Sequence, residues 1–156
     1  MNGPFSLRNW QTWFQDGRYF LEGFGRTLYI SFLALVFTLI IGIVVGVVLC
    51  GKSRVFKGIS KAYMSFFQNT PLMIQIFVYY NVLPKLGIRM SVTTIGVLGL
   101  ALYTGAYAAD IIASSINAVP SGQMEAASSQ GFGRLRGMMH IILPQAVKTA
   151  LPPMTN

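Results

Sequence analysis

The chain alternates between long apolar runs without charge and short polar links. Thr27 to Gly51 holds no charged residue. A helix that crosses a bilayer needs about 20 such residues, so this run predicts a transmembrane helix. Ala62 to Pro84 is a second uncharged run. Met90 to Ala109 is a third, and its helix is expected to continue through Ile116 towards Pro120. The predicted fold class is an all-α membrane protein. Residues 1–26 read differently, because Arg8, Asp16, Arg18, Glu22 and Arg26 punctuate Trp10, Trp13, Phe14, Tyr19 and Phe20. That mixture fits an N-terminal interfacial segment at the headgroups, and equally an ordinary amphipathic lead-in. It lacks the short basic start and apolar core of a signal peptide.

Polar and small residues inside the runs refine this picture. The second run contains Gln68, Asn69, Thr70, Pro71 and Gln75. Pro71 removes a backbone donor and is expected to kink the helix. The freed carbonyl needs a partner that lipid cannot supply. This face therefore looks into a helix bundle or a solute path, and the residues alone leave both open. The third run is rich in Gly96, Gly99, Ala101, Gly105, Ala106, Ala108 and Ala109, which suits close helix packing. Asp110 at its inner end reads as a solvated helix end before it reads as part of a solute path. Gly42 and Gly46 in the first run have a spacing that permits close helix approach, but such spacings arise readily in apolar runs, and chance is the favoured reading. Ile141 to Asn156 is apolar apart from Lys148, and Pro144, Pro152 and Pro153 are expected to break it into pieces that span part of a bilayer. A chain stopping there is expected to be a fragment or to lean on other subunits.

Charge orients the spans. Lys52, Arg54, Lys57 and Lys61 follow the first span with no acid among them. By the positive-inside rule this link is cytoplasmic, so the N-terminus lies outside. Lys85 and Arg89 fall in the outer link, and Arg134 and Arg136 fall in a second inner loop. Hydrophobic residues make up 53% of the chain and charged residues 10%, with a mean hydropathy of +0.56. An average soluble domain is about 25% charged, which favours a membrane class independently. The net charge of +8 is then largely a matter of topology, and a nucleic-acid partner is not needed.

Catalytic constellations are scarce. Gly46-Val-Val-Leu-Cys-Gly51-Lys52-Ser53 matches the phosphate-loop pattern, but that motif works only where a strand leads into a glycine-rich loop at a helix start. Here a membrane-length helical run leads into it. His140 is the one histidine and Cys50 the one cysteine, so neither a zinc site nor a nucleophile pair is credible. No metal and no cofactor is expected on this chain, which reads as a pathway component and not as an enzyme.

The remaining feature is the stretch Gly122 to Pro144, GQMEAASSQGFGRLRGMMHIILP. Ser121 is a candidate N-cap after Pro120. Glu125 in the first turns suits the positive end of a helix dipole. Ala126 and Ala127 favour helix and leave room for a partner surface. Gly131 can take a positive φ and turn the chain. The expected form is a short cytoplasmic helix, a turn, and a return to the membrane ending in Ile141, Ile142, Leu143 and Pro144. It serves either as a docking surface or as a plain connection.

Glu125-Ala126-Ala127, three residues, Gly131, nine residues, then Ile141-x-Leu143-Pro144 resembles the EAA motif of permease subunits of bacterial ABC importers. Asn69-Thr70-Pro71-Leu72 is similar to the R-G-T-P-L stretch of the polar amino acid permeases. Leu151-Pro152-Pro153-x-x-Asn156 resembles the L-P-P-x-x-N that follows their EAA loop. The likeness covers roughly residues 20–156. It implies a type I importer transmembrane domain over residues 27–156, with about four of five transmembrane helices present and a coupling loop at 120–140. It further implies that Glu125, Ala126, Ala127 and Gly131, with Ile141, Leu143 and Pro144, form the coupling to a cytoplasmic ATPase. ATP and magnesium would sit on that partner. A second permease subunit, homo- or heterodimeric, and an extracytoplasmic amino-acid-binding protein would complete the assembly in a bacterial plasma membrane. The solute path is expected near Asn69, Thr70, Pro71, Leu72 and Asn156. Two departures stand out. Ala113 replaces the basic residue often found three positions after the acid matching Asp110. Gln68 and Asn69 replace the usual basic residue and glycine before Thr-Pro. A channel or secondary transporter not driven by an ATPase is the alternative, and no inverted repeat is visible in its favour.

Overall fold

The computed structural model describes residues 17–154. Asp16 and the tryptophans of the lead-in, together with Asn156, lie outside the described residues. Helix α1 is Gly17–Leu49, 33 residues long. At 1.5 Å per residue it runs about 50 Å, well beyond the roughly 30 Å of a bilayer's hydrocarbon. It begins ahead of the predicted start at Thr27, and an Arg18–Glu22 pair at 3.0 Å, one turn apart, supports this extension. A bend at Gly51 and Lys52 leads to α2, Arg54–Asn69. Next comes α3, Leu72–Phe77, which continues as a π turn over Val78–Val82 and a 3-10 turn over Leu83–Leu86. Helix α4 is Val92–Ala118. Helices α5, Ser121–Ser129, and α6, Arg134–Gly137, form the loop. A π turn over Met138–Ile142 joins α6 to α7, Leu143–Met154.

The framework is the parallel pair α1 and α4, in register from Ile30 beside Gly96 to Gly46 beside Ile112, and glycine decides how closely they approach. Gly42 and Gly46 are buried in α1. A Cβ on Gly42 would lie 2.7 Å from Ala108 Cβ, and one on Gly46 would lie 2.7 Å from Ile112 Cγ2. Gly105 returns the fit from α4, where a Cβ would meet Ile41 Cγ2 at 2.9 Å. The Gly42–Gly46 spacing is therefore the packing seam, which corrects the sequence reading that favoured chance. One turn before Gly42, the hydroxyls of Thr38 and Thr104 bond across the seam at 2.6 Å. Thr104 donates to the Leu100 carbonyl at 2.7 Å, so the proton between the two hydroxyls comes from Thr38. Towards the far end, Ile142 of the π turn and Leu143, Ala146 and Ala150 of α7 pack against Ile112 and Ile116 of α4.

Among the described residues, α1 and α4 are the helices long and apolar enough to cross a membrane unaided. The second expected span comes in two pieces. The chain is extended at Thr70 (ψ 119°) and Pro71 (ψ 135°), so proline produces a break and not a kink. The residue before proline is pushed out of the helical region by the ring, and Pro71 itself sits at the start of α3. The expected breaks in the last segment are corrected in the opposite sense. Residues 134–154 are helical throughout, with Pro152 and Pro153 inside α7. Pro144 is absorbed by the π turn ahead of it, where the Leu143 amide reaches back to the Met138 carbonyl. The same device occurs before Pro84, with the Leu83 amide on Val78. In both places a Leu-Pro pair follows a widened turn. Widening accommodates a ring that would otherwise strike the carbonyl four residues back.

Candidate functional site

The loop after α4 is built by three backbone devices. Pro120 (φ −56°, ψ 134°) turns the chain out of α4 and occupies the cap position of α5. Ser121 is the first helical residue and makes no capping bond, which corrects its assignment as N-cap. Glu125 consequently lies beyond the first turn, where the dipole of a helix end has faded. At the other end Gly131 has φ +83°. The Phe132 amide bonds the Ala127 carbonyl and the Gly131 amide bonds Ser128, each at 3.0 Å. This is the paired closure of a Schellman motif, and it needs a left-handed residue at its C′ position. Nothing lies within 4 Å of a Cβ on Gly131, so backbone conformation alone demands the glycine.

The third device holds α5 in place. Met124 and Ala127, one turn apart, face α6. Ala127 is 2% exposed. A Cβ on Gly137 would come within 2.9 Å of Met124 Sδ and 3.5 Å of Ala127 Cβ. Gly137 is thus the seat on which the inner face of α5 rests. Gln145 Nε2 adds a bond to Gln123 Oε1 at 3.3 Å. Glu125, Ala126 and Ser129 point the other way and are exposed, and Glu125 forms no ion pair among the described residues.

The coupling residues expected from sequence therefore divide by position. Glu125 and Ala126 make an outer face, with Gly131 exposed beside them. Ala127 is internal. Leu143 is buried and Ile141 half-buried in the α4–α7 contact, while Pro144 is exposed and follows the widened turn. Sequence reasoning missed Met124 and Gly137. The signal was available, since Gly137 is one more glycine in a loop whose alanine would otherwise have nothing small to meet.

The expected path residues gather at the break between α2 and α3. Asn69 is exposed and its amide donates to the Ser65 carbonyl at 2.7 Å. Thr70 is half-buried and Pro71 exposed. Leu72, Ile76 and Tyr79 pack over Gly99 of α4, where a Cβ would meet Ile76 at 3.2 Å. The break is closed by a residue that the site prediction left out. Gln75 is 3% exposed, and its Nε2 donates to Thr70 O at 2.8 Å and to Phe67 O at 3.3 Å. Phe67 is four residues before Pro71, so its carbonyl is the one that proline leaves without a helical donor. Gln75 Oε1 is buried without a hydrogen-bond partner. The end of α2 is tied to α4 by Tyr63 on Leu102 O at 2.7 Å, Gln68 on Ala106 O at 3.2 Å, and Tyr107 on Gln68 O at 3.3 Å. Gln68, a departure from the motif, thus serves as a brace between helices.

Asp110 is exposed on α4 and borders a cavity of about 300 Å³ with Ser114, Ser115 and Thr149. His140 is exposed, with Nδ1 at 3.1 Å from the Arg136 carbonyl. The phosphate-loop pattern runs from the buried end of α1 into a bend, with Gly46 against Ile112. It has helix where that motif needs a strand.

Comparison with known proteins gives a consistent answer. Residues 38–156 match the family described as the binding-protein-dependent transport system inner membrane component. The chain is 38% identical over 143 residues to the probable glutamine ABC transporter permease protein GlnM of Bacillus subtilis (strain 168), covering 92% of this chain and 66% of that protein. It is 37% identical to the probable amino-acid ABC transporter permease protein YckA of the same organism, covering 88% and 61%. The putative glutamine transport system permease protein GlnP of Rickettsia bellii (strain RML369-C) is also 37% identical, with 88% and 64% covered. A crystal structure of an amino acid ABC transporter with histidines superposes with a TM-score of 0.78 at 32% identity, over 92% of this chain and 67% of that one. The chain thus spans less than two thirds of the length of these curated relatives.

Proposed function

The chain belongs to the binding-protein-dependent transport system inner membrane components, and from that premise we propose that it is a permease subunit for ATP-driven import of polar amino acids. It contributes to the translocation path and performs no catalysis itself. A separate ABC ATPase binds and hydrolyses ATP with magnesium, and this chain binds no cofactor. A second permease subunit pairs with it, and an extracytoplasmic amino-acid-binding protein delivers the solute. Lys52 to Lys61 and the loop at 120–140 face the cytoplasm, with the N-terminus outside.

The outer face of α5 is the observation that carries this reading. Glu125 and Ala126 are presented to solvent on a helix whose inner face is seated on Gly137 through Ala127. A plain connection has no use for a short helix closed at its end by a Schellman motif and pinned along one side. A docking helix has, because a force applied outside then reaches α7 without loss in a loose loop. The permease names of the relatives support the same reading for the solute class, and the break at Thr70 and Pro71 is the element we assign to the path, with Asn69, Leu72 and Asn156.

Co-purification with a candidate ATPase tests the proposal, with uptake of labelled amino acid in reconstituted vesicles as the second readout. Glu125→Lys reverses the charge of an exposed residue that supports no internal contact. We expect the chain to fold normally, to lose ATPase binding and to lose ATP-coupled uptake. Unchanged binding and uptake in Glu125→Lys would sink the docking assignment.

A further inference from the structure

The densest charge on the described surface has no ion-pair partner among the described residues. Lys52 lies in the bend after α1, and Arg54, Lys57 and Lys61 follow on α2. None of them forms an ion pair among the described residues, where Arg18–Glu22 is the ion pair present. Arg54, Lys57 and Lys61 stand at i, i+3 and i+7, and so share one stripe of the helix. Val55, Ile59 and Phe66 stand at i, i+4 and i+11 on a second stripe, and all three are exposed. The third side faces the protein, where Ser60 is buried and Tyr63 bonds α4. Among the described residues, helix α2 therefore carries a cationic stripe without an ion pair and an exposed apolar stripe.

We propose that Lys52, Arg54, Lys57 and Lys61 bind the anionic headgroups of phospholipids in the leaflet where α1 ends, with Val55, Ile59 and Phe66 set into the acyl layer beneath. Charge complementarity selects the occupant. A basic cluster directly after a span, on a helix with an exposed apolar stripe, is the pattern that anionic lipid recognises. An acidic soluble partner would satisfy the cations and leave the apolar stripe in water. A lipid with a negative headgroup satisfies both stripes from one molecule class. The inference rests on the membrane location of the family and not on the solute carried, so its failure leaves the permease reading intact.

The test uses the full chain in vesicles of phosphatidylcholine with phosphatidylglycerol as the minor lipid. The lipid retained on the protein after detergent extraction is measured by mass spectrometry. Phosphatidylglycerol should be enriched over its bulk share, and the enrichment should fall by roughly fivefold for each cation neutralised at low salt. Lys52→Gln, outside the helices, shows this without risk to the fold, and the fourfold glutamine variant should return the bulk ratio. The charge-preserving Lys52→Arg, Lys57→Arg, Lys61→Arg variant should keep the enrichment, as should Lys85→Gln with Arg89→Gln. Enrichment that survives in the fourfold glutamine variant would overturn the proposal. So would loss of enrichment in the arginine variant, or displacement by millimolar inorganic phosphate at constant ionic strength, which would mark a free-anion site instead.

Discussion

Replacing Gly42 with alanine adds one methyl group where the seam between α1 and α4 has no room for it. The new Cβ would sit 2.7 Å from Ala108 Cβ and 3.3 Å from the Ala108 carbonyl carbon. Carbon atoms rest at about 3.5–4.0 Å, so α1 must retreat from α4 by about 1 Å. The hydroxyl bond between Thr38 and Thr104, now 2.6 Å, would stretch with it. Overpacking of this kind costs about 1–3 kcal/mol, and the helix gains at most about 1 kcal/mol from losing a glycine. The expected net effect is a loss of up to about 2 kcal/mol, against a gain of up to about 1 kcal/mol where the added methyl meets nothing. Ala108→Gly removes the opposing methyl, and the contacts left at 3.3 and 3.4 Å are tight but tolerable. The double variant should therefore recover about 1 kcal/mol or more relative to the sum of the single changes. Unfolding of the purified chain in mixed micelles, followed by circular dichroism, gives the three values. Gly25→Ala is the control, because nothing lies within 4 Å of its Cβ, and it should be neutral or stabilising. If Gly42→Ala behaves like Gly25→Ala, the two helices do not meet as closely as described and the seam is wrong.

Two further outcomes follow from the backbone. Gly131→Val forces a side chain onto φ +83°, a cost of about 1–2 kcal/mol that should open the end of α5 and speed tryptic cleavage at Arg134, whereas Gly131→Asn should stay near the native rate. Gln75→Leu leaves the Phe67 and Thr70 carbonyls without its donor and should destabilise by about 1–3 kcal/mol in the micelle assay; no loss would mean that Gln75 does not bridge the break.

What the sequence reveals depends on whether the cause is local. The uncharged runs announce α1 and α4, because exclusion of charge from lipid acts residue by residue. Gly131 is legible because only a few residue types accept a positive φ, and a disturbance at Pro71 because proline lacks a donor wherever it stands, although the sequence predicts a kink there and the chain breaks instead. Ser121 is misread because Pro120 takes the cap position one residue earlier, and the two are neighbours in every such pattern. The Gly42–Gly46 seam is not legible at all from α1, since a glycine pair means nothing until Ala108 and Ile112 stand opposite. Gln75 hides for the same reason. Its role is defined by a carbonyl eight residues back, exposed by a proline between them. The continuity of α6 and α7 past Pro144 also escapes pattern reading, because the π turn that absorbs the proline leaves no residue signature of its own.

The glycine seam also sorts the molecule mechanically. With backbone against side chain at Gly42, Gly46 and Gly105, α1 and α4 form one stiff beam with no slack to slide. Two extended X-Pro steps flank it, at Thr70–Pro71 and at Val119–Pro120, and each interrupts the helical ladder. Together with the bend at Gly51 and Lys52 they place the interruptions of the ladder outside the beam, while α7 stays packed on Ile112 and Ile116, so stiffness is concentrated in one part of the chain and the breaks in another.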